Sequence, residues 1–191
     1  MYYAVLSYKT INFHQKISYS SKLKKMGKAK DIYHFIVIPN YKEPLHKLDE
    51  SMAQLAKMDY PFRKPSVVLA FESREDEATM KASALIATHK KSFSSIIQTY
   101  HTLMPGEAAG KASNQSYACQ QIEKICKREN IPFSDTLITI ADADSMFPKN
   151  YFSYLTHEFI KDPDNQYHFY WAPVLLYNNF WQLPFFMRMQ A

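Results

Sequence analysis

Residues 33–38 (YHFIVI) are apolar over most of their length and are followed directly by Pro39. Such a short apolar run predicts a strand buried on both faces, and the proline is expected to stop it. Similar runs recur at residues 66–71 (SVVLAF) and 136–141 (TLITIA), and residues 93–99 (FSSIIQT) are predicted to form a further strand. Strands buried on both faces are typical of a mostly parallel sheet that is covered by helices on each side.

Helical patterns lie between these runs. Apolar residues at helical spacing follow the first run, at Leu45, Leu48, Met52 and Leu55. Further helices are predicted at residues 75–90, 113–128 and 151–160, and residues 167–177 are expected to form a strand that passes into a loop. The alternation of strand and helix predicts an α/β fold of the Rossmann type.

The charge divides the chain of 191 residues, whose length suits one domain, into two parts. Residues 1–30 contain seven Lys and no acidic residue, whereas the remaining residues contain 16 basic and 18 acidic ones. We therefore separate a basic N-terminal arm, residues 1–30, from a domain at residues 31–191. The arm is compatible with nucleic-acid binding, with attachment to an anionic membrane surface, or with a solvated, partly disordered leader. The sequence contains no run of 18 apolar residues, the length that a complete membrane span requires.

The segments after the predicted strands are the candidate ligand sites, because ligands of parallel sheets bind beyond the carboxyl ends of the strands. After the first strand, Tyr41 offers a ring for stacking, and Glu43 offers an acceptor for a base or ribose. Glu72, after the second strand, could accept a hydrogen bond from a ribose hydroxyl or a base N–H. Glu43 and Glu72 are equally compatible with stabilising the start of the following helix.

The third segment, residues 101–115, places two glycines around a lysine immediately before a helix. Gly110 allows backbone to approach a ligand closely, and Lys111 together with the helix N-terminus suits a phosphate. The spacing is not that of a Walker A loop, which has four residues between its glycines and Ser or Thr after the Lys. Residues 101–115 therefore indicate a phosphate site of another kind.

The fourth segment contains Asp142 and Asp144 directly after a predicted buried strand. Two carboxylates that emerge there repel each other unless a cation or hydrogen-bond donors balance them. Mn²⁺ or Mg²⁺, bound by these carboxylates and by phosphate oxygens, would do so, and helix capping is the alternative. A second Asp-x-Asp, at Asp162 and Asp164, falls in a polar turn and is expected to face solvent.

In chain order, these four segments resemble the motifs of family 2 glycosyltransferases, which have the GT-A fold. Residues 38–44 (IPNYKEP) resemble the Pro-x-Tyr-x-Glu element, and Glu72 stands where the family has a carboxylate that contacts the base. Residues 110–114 (GKASN) resemble the Gly-Lys-Ala diphosphate loop with its Asn, and residues 141–145 (ADADS) resemble the metal-binding Asp-x-Asp. The resemblance implies a nucleotide-sugar donor, with a UDP-sugar expected, and a metal-dependent transfer with inversion to an acceptor hydroxyl. It implies metal binding by Asp142 and Asp144, and donor binding by Pro39, Tyr41, Glu43, Glu72, Gly110, Lys111, Asn114 and Asp142.

The family's general base lies in a motif well after the Asp-x-Asp, so it is expected beyond Ala191, in a longer enzyme of which residues 31–191 are the donor-binding half. The resemblance is to membrane-bound, cellulose-synthase-like members, which implies a membrane-associated domain facing the cytosol, an acceptor that is a glycan or a lipid, and no nucleic-acid partner. Two alternatives are a truncated, non-catalytic nucleotide-sugar-binding module and a nucleotidyltransferase. The second would carry a Gly-rich loop directly after its first strand, and this sequence does not.

Overall fold

The sheet has four strands, all parallel, in the order β3-β2-β1-β4. The computed structural model describes residues 2–171, with the side chains of residues 6–171. The strands are β1 (Tyr33–Asn40), β2 (Ser66–Glu72), β3 (Ser95–His101) and β4 (Thr136–Ile140). The predicted α/β class with a mostly parallel sheet is confirmed.

Helices cover both faces of the sheet. The α-helices are α1 (Tyr2–Gln15), α2 (Tyr19–Leu23), α3 (Leu45–Leu55), α4 (Ala78–His89), α5 (Lys111–Glu129) and α6 (Tyr151–Lys161), and two 3₁₀ turns lie at Gly27–Asp31 and Phe133–Asp135. Side chains of α3, α4 and α6 share one core with Ile36 and Ile38, whereas α5 shares another with Phe35 and Val37. Alternate residues of β1 therefore enter opposite layers, as the strand period of two requires. Among the described helices, none is long and apolar enough to cross a membrane.

Only the two central strands are buried on both faces. β1 and β2 are buried at every position except the first, whereas the edge strands β3 and β4 alternate with exposed or half-buried positions. In β4, Ile138 is 43% and Ile140 is 45% exposed. The prediction that β4 is a buried strand was therefore wrong, because a strand at the edge of a sheet lacks a neighbour on one side.

Pro39 does not stop the first strand. It pairs in register with Ala70, and Asn40 continues the pairing with Phe71. The pairing of β1 with β4 runs only to Val37 and Ile140. A residue without an N–H is tolerated at Pro39 because β1 has only one neighbouring strand there.

The second half of the basic arm belongs to the folded unit. Tyr19, Leu23 and Ala29 are fully buried, and α2 packs against α6. The Asn150 side-chain amide, just before α6, donates a hydrogen bond of 3.0 Å to the carbonyl oxygen of His14. Residues 19–31 are thus not a solvated leader.

The segment after α6 differs from its prediction as well. Residues 167–171 do not form a strand, and residues 172–177 lie outside the described part of the chain. Asp162, expected to face solvent, accepts hydrogen bonds from the Tyr170 hydroxyl at 2.7 Å and from the backbone N–H of Asp164 at 3.0 Å, and it contacts His168 Nδ1 at 2.6 Å. These contacts lower the pKa of Asp162, with the Tyr170 hydrogen bond as the main cause. Asp162 therefore organises this turn, whereas Asp164 is exposed.

Candidate functional site

The carboxyl ends of β1 and β4 lie side by side, at the point where the strand order reverses. From β1 the chain moves outward to β2 and β3, and it then returns across the sheet to place β4 on the other side of β1. The helix of this return, α5, packs against β1, β2 and β3. Such a reversal leaves a crevice beyond the strand ends, where open parallel sheets bind their ligands.

Asp142 and Asp144 both project from the end of β4 toward solvent. The backbone N–H of Ala141 donates to the Val37 carbonyl oxygen at 2.9 Å, which keeps this segment against β1. Ala141 and Ala143 are buried in the core, while the two aspartates are exposed. Both carboxylates are therefore accessible near the reversal of the strand order.

Lys111 forms an ion pair with Asp142, so the third and fourth segments meet. Both side chains are accessible, at 52% for Lys111 and 59% for Asp142. Gly110, which precedes α5, has a φ of 151°, a conformation open to glycine and strained for other residues. A cationic side chain at the N-terminal end of a long helix and the Asp142 carboxylate therefore meet at one accessible place.

Tyr41 and Glu72 are joined by Arg74. The Arg74 guanidinium lies 4.2 Å from the centre of the Tyr41 ring, and its Nε donates to Glu72 Oε2 at 2.6 Å. The hydrogen bond to Glu72 raises the pKa of Arg74. The ring of Tyr41 is partly exposed, whereas Glu72 is buried. The first and second segments thus present an aromatic ring backed by a neutralised carboxylate.

A buried ionic network holds the loop after β1. Glu75 Oε2 accepts from the Asn40 side-chain amide at 2.9 Å and from the Lys42 backbone N–H at 3.1 Å. Lys81 Nζ lies 2.7 Å from Glu75 Oε1 and donates to the Glu43 carbonyl oxygen at 2.9 Å. Lys42 has a φ of 63°, in the left-handed region that non-glycine residues rarely adopt. The network therefore fixes a strained turn next to Tyr41.

The long loop between β3 and α5 is fastened at its start. Glu107 Oε2 contacts His101 Nε2 at 3.1 Å and accepts from the Met104 backbone N–H at 3.0 Å. The backbone N–H of Ser73 donates to the His101 carbonyl oxygen at 2.8 Å, which links this loop to the end of β2. Together with the Arg74 and Lys111 contacts, this bond connects all four segments into one continuous surface.

Four of the predicted site residues lie away from this surface or at its margin, and one of them is Glu72, which is buried and paired with Arg74. Asn114 is buried, and its amide donates to the Ala70 carbonyl oxygen at 2.7 Å, so it attaches α5 to β2. Glu43 is half-buried and lies 3.8 Å from Lys47 on the first turn of α3. Pro39 lies within β1. The predicted residues that share the accessible surface are Tyr41, Gly110, Lys111, Asp142 and Asp144.

Sequence reasoning missed the residues that hold the site together. These are Asn40, Arg74, Glu75, Lys81, His101 and Glu107. Their contacts join positions as far apart as Asn40 and Glu75, or Lys81 and Glu43. The charged run at residues 74–77, followed by Lys81, was the one sequence signal of these contacts. It could not be recognised as such, because it resembles the solvated face of a helix.

The carboxylates fit a divalent cation that is shared with a phosphate ligand. Mg²⁺ and Mn²⁺ are commonly held by one or two carboxylates, and phosphate oxygens complete the coordination. Asp142 and Asp144 would supply the carboxylates, and Lys111, paired with Asp142, would face the phosphate charge. Within the described residues, no cluster of three or more His, Cys, Asp or Glu side chains could hold a metal ion.

Comparison of the chain with protein-family models, with curated proteins and with solved structures finds no match.

Proposed function

We propose that this chain binds a nucleotide sugar at the carboxyl ends of β1 and β4, as the donor domain of a metal-dependent, inverting glycosyltransferase. The observation that carries the proposal is the contact of Lys111 with Asp142 at the reversal of the strand order. Phosphates are bound at such positions in parallel sheets, and a lysine at a helix N-terminus suits them. The order of the four sequence motifs, each after its own strand, supports a nucleotide sugar in particular.

One part of the surface would bind the diphosphate of the donor, and another part would bind its base. Lys111 and Gly110 would face the diphosphate, with Asp142 and Asp144 holding Mn²⁺ or Mg²⁺ against it. Tyr41, with Arg74 stacked on it, would face the base, and Glu72, buried and paired with Arg74, would hold that guanidinium in place. The Lys111–Asp142 pair would open on binding, because lysine then pairs with phosphate and Asp142 with the metal.

In the transfer, an acceptor hydroxyl attacks the anomeric carbon, and the bond from that carbon to the diphosphate oxygen breaks. The nucleoside diphosphate leaves with the bonding electron pair, and the hydroxyl proton passes to a general base. When bound, the metal supplies electrostatic stabilisation of the leaving diphosphate. Lys111 contributes a second positive charge at the same group. None of residues 2–171 is assigned as the general base, so donor binding is the step to test first.

Isothermal titration of the chain with UDP tests the proposal. With Mn²⁺ present, UDP is expected to bind, and chelation of the metal should weaken binding at least about tenfold, since the diphosphate then faces the carboxylates unscreened. Asp144→Ala should abolish the metal-dependent part. Lys111→Met should weaken binding by about tenfold, the loss of one charge-assisted contact.

Asp164→Ala is the matched control, because it removes an exposed carboxylate from the other Asp-x-Asp of the chain. Its affinity for UDP should equal that of the wild type. UDP binding that does not change on metal removal, or an equal loss in Asp164→Ala and Asp144→Ala, would overturn the proposal. So would the absence of binding by every nucleoside diphosphate tested.

A further inference from the structure

The N-terminal helix α1 presents apolar side chains to solvent. Leu6 is 48% exposed, and Tyr8 and Phe13 are each 62% exposed. Leu6 and Phe13 are seven residues apart and lie on one side of the helix, while Tyr8 lies on the other. Leu6 and Phe13 therefore form a small apolar face on one side of α1.

Lysines lie within this helix and directly after it. Every lysine of residues 1–30 is exposed, and these are Lys9, Lys16, Lys22, Lys24, Lys25, Lys28 and Lys30. The same residues contain no Asp or Glu. Lys28 lies 3.8 Å from Asp135 in an exposed pair, which offsets little of the charge. We refer to α1 and these seven lysines as the α1–lysine surface.

The lysines after α1 are displayed on a fixed frame. Tyr19 and Leu23 of α2 are buried, and the Tyr19 ring centre lies 4.8 Å from that of Tyr154 in α6. The His14 ring nitrogen contacts the Tyr19 hydroxyl at 2.5 Å, which ties the end of α1 to the same place. The backbone that carries the lysines after α1 therefore keeps one arrangement.

We propose that the α1–lysine surface docks on an anionic lipid bilayer, with α1 in the apolar boundary of the leaflet and the lysines on the headgroups. A bilayer surface offers apolar contact and negative charge in adjacent layers, which matches the adjacent apolar helix and lysines. A nucleic acid would match the lysines but would leave Leu6 and Phe13 in water. The remaining sequence has an excess of acidic residues, so the attraction is local to this surface. The proposal is independent of nucleotide binding.

Co-sedimentation of the chain with vesicles tests it. Binding to phosphatidylcholine vesicles should rise at least about tenfold when about 30% of the lipid is phosphatidylserine, since each lysine near the surface contributes about fivefold. Raising the salt from about 0.1 M to about 0.5 M should remove most of that gain, because the charges are exposed.

Two sets of variants distinguish the contribution of charge to vesicle binding from the contribution of apolar contact. Lys22→Gln/Lys24→Gln/Lys25→Gln/Lys28→Gln should lower binding to anionic vesicles at least about tenfold. Leu6→Gln/Phe13→Gln, which keeps every lysine, should lower it at least about fivefold through lost apolar burial. All these side chains are exposed, and unchanged melting temperatures would show that the variants fold.

The control variant is Lys57→Gln/Lys90→Gln/Lys91→Gln/Lys124→Gln, which removes the same charge from exposed lysines outside the α1–lysine surface. Its binding should stay within about twofold of the wild type, because charges beyond the Debye length of the membrane contribute little. Equal losses in the two lysine variants would overturn the proposal. So would equal binding to neutral and anionic vesicles, no binding to either, or tighter binding to duplex DNA or RNA at the same salt.

Discussion

His34 is a buried histidine whose hydrogen bonds define its tautomer. Its Nε2 lies 2.7 Å from the Thr156 hydroxyl oxygen, and that hydroxyl donates to the Phe152 carbonyl oxygen at 2.9 Å. Since the hydroxyl proton is already used, Nε2 must be the donor to Thr156. Nδ1 is buried without a hydrogen-bond partner among the described residues. Burial lowers the pKa of His34 from 6.5 to about 3.

The buried His34 should therefore make the protein less stable as the pH is lowered. The pKa of His34 in the folded state lies below that in the unfolded chain. As the pH is lowered, the unfolded chain therefore binds the proton at a higher pH than the folded protein does. The contribution of His34 is fully present above about pH 6.5 and decreases toward pH 3 by about 1.4 kcal/mol per unit. Urea unfolding at pH 7 and pH 5 should show the wild type losing about 2 kcal/mol more than His34→Gln. Equal losses in the two proteins would contradict this account.

Individual site residues differ in how far the sequence could predict them. Asp142 follows an apolar run directly and Lys111 begins a helix after a loop with two glycines, so both places could be predicted, whereas their ion pair depends on the return of the chain to β4. Arg74 could not be found this way, because its role depends on Tyr41, which lies in another loop. Asn114 matches a motif, yet its side chain is directed at the backbone of β2.

Between elements, the Glu75–Lys81 pair joins α4 to the loop that follows β1. Both residues are nearly inaccessible, Glu75 at 5% and Lys81 at 4%. Burial lowers the pKa of Lys81, but hydrogen bonds and charges of Glu75 and Glu77 raise it by more, so that the net pKa is raised. The ammonium is thus kept charged inside the protein by carboxylates on two sides.

Lys81→Met should destabilise the protein by about 3 kcal/mol, because it leaves the Glu75 carboxylate buried without its cation. Chemical unfolding measures this change. Glu77→Gln removes the partner of Lys81 that is exposed, and it should cost less than about 1 kcal/mol. Adding Glu75→Gln to Lys81→Met should restore part of the loss. A double variant as unstable as the sum of the two single variants would show that the residues are not coupled.

The sequence pattern does not distinguish the edge strands of the sheet from the central strands. The run TLITI of β4 resembles that of β2 in composition, but Ile138 and Ile140 are exposed. Whether a strand is central depends on its position in the sheet, which is decided by pairing with distant strands. The burial of Tyr19 and Leu23 was missed for a similar reason, since α6, which covers them, lies far along the chain.

Across the whole molecule, burial declines from the centre of the sheet outward. Seven residues of β1 and six of β2 are buried, but only two of β3 and one of β4. At the periphery, the described side chains of α1 are exposed or half-buried. Local opening costs least free energy where few apolar contacts are lost. The resistance of backbone amides to opening should therefore follow the same gradient.

Hydrogen exchange measured by mass spectrometry tests this gradient. Peptides that cover β1 and β2 should exchange only through global unfolding, so low denaturant should accelerate them strongly, in proportion to the surface that unfolding exposes. Peptides from α1 should exchange at least about a hundredfold faster and respond little to denaturant, because the helix opens without the sheet. Peptides from β3 and β4 should lie between these limits. Protection of α1 equal to that of β1 would show instead that the N-terminal helix unfolds only together with the sheet.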